Sequence, residues 1–179
     1  ETLFIALLWT SIVGLVPFPL DSITTKEGGV LAHLLRLVEP HLSDAGPTRD
    51  AAAICLSRLL TRPDADAPGF VVRAVNDLIA GTTPNDQAKL HARLGHLRAL
   101  AEFFKRSANA ARDAASARLV VRTLASRFGS TGGGASHLST LERKLWIKLV
   151  QRAGVTVASS VFATGAENQD EQDAETLSL

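Results

Sequence analysis

The clearest regularity in this sequence follows the segment TTPND. Leu90, Leu94, Leu97, Ala101 and Phe104 recur in steps of 4, 3, 4 and 3. Such spacing keeps side chains on one face of a helix, whereas a strand repeats every second residue. The stretch from about residue 110 to 128 repeats the pattern with Ala114, Ala117, Val121, Leu124 and Phe128. Leu31, Leu34, Leu35, Val38 and Leu42 form a similar stripe, and Pro40 kinks or ends that helix. Ala52, Cys55, Leu56 and Leu59 belong to a helix that starts at Pro47 or Thr48 and stops at RPD. Asp66 and Pro68 start a shorter helix through Phe70, Val71, Ala74, Val75 and Leu78, with Gly81 closing it. Thr24 with Glu27, and Ser139 with Glu142, have capping-box spacing. The second box opens a helix whose stripe is Leu141, Leu145 and Leu149. The only strand-like run is VTVASSVF, residues 155–162.

These patterns amount to about seven helices joined by short turns, an all-α chain. Starts near residues 47, 87 and 138 are 40 and 51 apart, close to the period of HEAT-type helix pairs at the first step and longer at the second. The reading is a HEAT/armadillo-like superhelical stack of antiparallel helix pairs, in which each pair buries its apolar face against its neighbours. A compact bundle fits the same periodicity.

The opening TLFIALLWTSIVGLVPFPL has no charged residue between positions 2 and 20. Its apolar run is broken by Thr10, Ser11 and Gly14 and closed by Pro17 and Pro19. A membrane span needs about 20 apolar residues and basic flanks, and no Lys or Arg occurs before Lys26. A signal peptide needs a basic start, and the first charge here is Glu1. The segment therefore reads first as one core helix of a soluble protein, with a membrane span or signal segment as the alternative.

Composition agrees. A hydrophobic share of 46% can fill a core, and a single cysteine, Cys55, excludes an internal disulfide framework. The absence of Met suggests a fragment or processed piece. The net charge of +1 conceals an asymmetry. All 19 basic residues lie in 1–158 against 13 acids, whereas 159–179 holds five acids and no base. Residues 1–158 read as the helical-repeat segment, and 159–179 as an acidic flexible tail or linker.

Motifs for chemistry are nearly absent. His91 and His96 are five apart and point to different helix faces, which is wrong for a zinc pair. GSTGGG lacks the Gly-Lys-Ser/Thr of a phosphate loop and reads as a linker. Cys55 sits on an apolar stripe and reads as a structural thiol. No catalytic residue, cofactor or metal is assigned. With no Tyr for stacking and no known binding signature, nucleic acid is not an expected partner. The basic side chains remain. They fit solvated helix faces and equally a patch for an acidic partner.

Four blocks carry a resemblance: LLWTSIVGLVPFPLD, TRDAAAICLSRLLTRPD, LGHLRALAEFFKR and LERKLWIKLVQRAGVT. Together they look like one region of the tubulin-specific chaperone D family, also called tubulin-folding cofactor D. The resemblance implies a central piece of a HEAT and armadillo-like solenoid in which LLWTSIVGLVPF is a buried helix. It implies a non-enzymatic cytoplasmic, cytoskeleton-associated chaperone that binds β-tubulin. Its further partners would be tubulin cofactors C and E and a small Arf-like GTPase, with a GTPase-activating effect on tubulin only within that complex. A purely architectural spacer is the alternative. Tubulin is acidic, so the sequence offers Arg58, Arg62, Arg98, Lys105 and Arg106 as one contact patch on helices that start a repeat apart. The competing expectation is that they pair with acids such as Glu102 at helical spacing. A segment cut from such an array would also leave the helix bearing Leu7, Leu8, Ile12 and Leu15 without its preceding neighbour.

Overall fold

The computed structural model describes residues 1–23, 29–80, 87–128 and 138–177. The proposed box Thr24/Glu27, Gly81 and GSTGGG lie outside them. Seven α-helices account for most of the chain, and no strand occurs among the described residues: α1 (Thr2–Val13), α2 (Val30–Val38), α3 (Pro47–Leu60), α4 (Ala67–Ala80), α5 (Gln87–Arg106), α6 (Ala110–Phe128) and α7 (Thr140–Leu177). Helices α1, α3, α5 and α7 pack successively as one layer. Helices α2, α4 and α6 form the other, against α3, α5 and α7 respectively, and α4 also packs on α6. This is a HEAT/armadillo-like stack, and a single buried core runs through it from Leu7 to Ala153.

Local chemistry explains where the helices begin and end. Pro47 supplies the first position of α3, where its missing N–H costs nothing. Asp66 accepts the Gly69 N–H at 2.9 Å and starts α4, and Asn109 accepts the Arg112 N–H at 2.9 Å to start α6. At α7 the capping box is complete: Ser139 Oγ accepts the Glu142 N–H at 3.2 Å, and Glu142 Oε2 accepts the Ser139 N–H at 3.1 Å. Pro40 ends α2 and begins a 3-10 turn, Glu39–Ser43, that buries Leu42.

Helices α3 and α5 are enclosed on several sides. Small side chains at Ala51, Ala52 and Ala53 let neighbouring backbones approach α3. Gly95 of α5 meets the 3-10 turn so closely that a Cβ there would lie 2.0 Å from the Leu42 carbonyl oxygen. At Gly14, just after α1, a Cβ would come within 3.3 Å of Leu59 on α3.

Three expectations need correction. The run 155–162 is helix, continuous with the rest of α7. Its β-branched residues conceal a helical stripe, because Leu149, Ala153, Thr156 and Ser160 are buried in steps of 4, 3 and 4. Thr156 and Ser160 donate to the carbonyls of Arg152 and Val157 at 3.2 and 2.7 Å, so their hydroxyls are satisfied within the helix. Leu141, assigned to the stripe, is 47% exposed, whereas its neighbour Glu142 is buried and meets Arg93 of α5. The opening helix is also not a buried one: in α1 only Leu7 and Ser11 are buried, and Ile5, Trp9 and Ile12 stand in solvent. The backbone of α7 also continues in helix to Leu177, into the acidic segment that begins at residue 159. No helix among the described residues is long and apolar enough to cross a membrane.

Candidate protein-interaction surface

The five basic residues proposed as one patch have different surroundings. Arg62 is buried, with its side chain 6% exposed. Its guanidinium donates to the carbonyls of Gly14 at 3.2 Å, Val16 at 2.8 Å and Phe18 at 2.7 Å. It also grips both Asp64 oxygens, at 2.9 and 3.2 Å. Carbonyls beyond a helix end have no partner within the helix, and here an arginine from the next repeat supplies one. Burial works to raise the Asp64 pKa. Hydrogen bonds from Arg62 and from the Leu20 N–H outweigh it and hold the carboxyl below its usual value. Arg62 therefore anchors the Gly14–Phe18 segment and offers no charge to a partner.

Arg58 turns the same way and donates to Ser11 Oγ at 2.9 Å. Its charge slightly offsets the effect of burial on the neighbouring Cys55 thiol, whose pKa is pushed up to about 12. Arg98 and Arg106 flank Glu102 on α5. Arg98 Nε lies 3.6 Å from Glu102 Oε1, and Arg106 donates to Oε2. Arg152 of α7 adds bonds to Glu102 at 3.3 Å and to the Ala101 carbonyl at 2.7 Å. Burial tends to raise the Glu102 pKa, but Arg106 first and then Arg152 pull it below the usual carboxylate value. The expectation of helical pairing with Glu102 thus holds for Arg98 and Arg106.

Lys105 is different. It is exposed on the last turn of α5, and no ion pair engages its side chain among the described residues. It lines a cleft of about 380 Å³ together with Phe104, Lys148, Gln151, Arg152 and Val155. The sequence reading placed α3 and α5 one repeat apart on a common face, and they are neighbours in one layer. It failed to see that Arg58 and Arg62 face α1 and so belong to a different junction from Arg98, Lys105 and Arg106. It also missed the α7 half of the cleft. Lys148, Gln151, Arg152 and Val155 fall on one helix face at spacings of 3 and 4, but nothing local joins that face to Lys105.

The arginines share one role in the array. Arg62 reaches back 48 residues to Gly14, Arg112 reaches 50 to the Arg62 carbonyl, and Arg152 reaches 51 to Ala101. Arg93 on α5 likewise meets Glu142 on α7 at 3.0 Å, 49 residues away. Each link spans about one helix-pair repeat and ties consecutive repeats together. Among the described residues, no group of three or more His, Cys, Asp or Glu side chains is placed to hold a metal ion.

A family model for the tubulin-specific chaperone D-like ARM repeat matches residues 1–78. The match covers under half of the chain, and it is those residues that are similar to this repeat. The matched segment runs from α1 into the last turn of α4 and contains the Arg62 anchor and the α1–α3 junction. It stops short of α5, so the Lys105 cleft lies beyond it. No solved structure matches the chain.

Proposed function

We propose that this chain is a partner-binding segment of a tubulin-folding cofactor. In this reading its repeats form part of a surface that holds β-tubulin while the α/β heterodimer is assembled or taken apart. It acts beside cofactors C and E and a small Arf-like GTPase, in the cytoplasm and at the microtubule cytoskeleton. It has no catalytic chemistry of its own, and any stimulation of GTP hydrolysis belongs to the assembled complex. The observation that supports the reading is the chaperone D-like repeat at residues 1–78. A basic opening in the same continuous stack suits an acidic partner.

A second reading is an architectural spacer. It is favoured by Arg58, Arg62 and Arg106, which spend hydrogen bonds inside the molecule, and by Arg98, which forms an ion pair with Glu102. Capture of purified β-tubulin at graded ionic strength separates the two. The binding reading expects retention that weakens with salt. Retention indistinguishable from beads alone at every ionic strength would leave the spacer.

A further inference from the structure

The cleft between the end of α5 and the early turns of α7 has the chemistry of an anion site with an apolar floor. Lys105 and Lys148 are both exposed and rise from different helices. Arg152 closes the back, its guanidinium fixed by the Ala101 carbonyl and Glu102. None of the six lining residues is acidic. The nearest carboxylate of α5, Glu102, is 7% exposed and already occupied by Arg98, Arg106 and Arg152. Among the described residues no carboxylate pairs with either lysine, so the two project positive charge, which attracts anions most strongly where low-dielectric walls limit solvent. Phe104 is nearly buried and Val155 is 61% exposed, so an aliphatic surface lies among the cations. Gln151 adds an amide that can both donate to and accept from a peptide backbone.

We propose that this cleft binds an acidic peptide segment carrying an apolar residue among its carboxylates. The carboxylates meet Lys105 and Lys148, and the apolar side chain covers Val155. A nucleic acid fits less well, because the one aromatic ring in the cleft, Phe104, is 4% exposed and presents no face for a base. The proposal rests on the reading of this chain as a partner-binding segment, and names the surface and partner chemistry.

The test is fluorescence anisotropy on the full chain with a labelled Glu-Glu-Leu-Glu-Glu peptide. Poly-U serves as a competitor. Lys105→Glu with Lys148→Glu is expected to weaken binding at least about tenfold and to flatten its salt dependence. The milder pair Lys105→Gln with Lys148→Gln should weaken it less, with an unchanged circular dichroism spectrum. Arg118→Glu with Arg122→Glu, exposed on α6, should leave affinity within about twofold. No binding by the unaltered chain, equal loss in the α6 pair, or no loss in the lysine pair overturns the proposal. Poly-U competing as well as the peptide also overturns it. The titration contains no tubulin, so its failure leaves the β-tubulin reading standing. Peptide binding without any β-tubulin capture would remove that reading and keep the cleft.

Discussion

Arg62 shows how one side chain can be misread from charge alone. A guanidinium has five N–H donors in a rigid fork, and Arg62 spends them on three carbonyls and a bidentate carboxylate. Removing it leaves Asp64 without its counter-charge and the Gly14–Phe18 carbonyls without partners. Arg62→Ala is expected to destabilise the chain by about 3–5 kcal/mol, the range for breaking a buried pair. Arg62→Lys should rescue little, because an ammonium cannot reproduce the fork. Lys105→Ala should stay within about 0.5 kcal/mol, as exposed changes usually do. Urea melts that rank Lys105→Ala beside Arg62→Ala would show that the anchor is not holding the α1–α3 junction.

At the scale of elements, the α5 contact with the 3-10 turn depends on an absent side chain. Alanine at an exposed helix interior normally gains about 1 kcal/mol over glycine. Gly95→Ala should do the opposite, since the new methyl would sit 2.0 Å from the Leu42 carbonyl oxygen. Backbone cannot step aside as a flexible side chain can. The expected net loss is roughly 1–3 kcal/mol, the range for an overpacked core. A thermal melt in which the variant is more stable than the parent would mean that the turn and α5 are farther apart than described. The Ser139/Glu142 box at α7 makes a contrasting case: there the local pattern and the tertiary contact agree, because Glu142 both caps the helix and receives Arg93.

For the whole molecule, two of the carboxylates that tie the stack together are Asp64 at the α1–α3 junction and Glu102 between α5 and α7. Both have folded pKa values below their usual 3.8 and 4.5. The unfolded chain therefore binds protons at a higher pH than the native one. The stability these groups contribute is complete above the usual values and is lost as the pH falls through the depressed folded ones. Urea midpoints measured from pH 7 down to pH 3 should be level near neutrality and drop in the acid range. Glu102→Gln should lower the neutral midpoint and make the acid drop shallower. An acid limb of unchanged steepness in Glu102→Gln would show that other groups govern it.

The sequence by itself determined that the chain is helical, where most helices start and stop, and that they stack as repeats. Those features are local. A stripe in steps of 3 and 4, a proline at a first turn and a serine three residues before a glutamate act within one or two turns. The chaperone D-like character of residues 1–78 was legible as well, carried by ordered blocks of residues. Tertiary structure alone decided which charges remain available. Arg58 and Lys105 look alike in sequence, yet one donates to Ser11 and the other lines an open cleft. It also turned VTVASSVF into helix, since burial of Thr156 and Ser160 against the core outweighs a weak preference for strand. Gly95 shows the same limit, because nothing within a turn of it announces the Leu42 carbonyl. These outcomes depend on contacts between residues about 50 apart, and a pattern that repeats every 3.6 residues holds no information about what lies one repeat away.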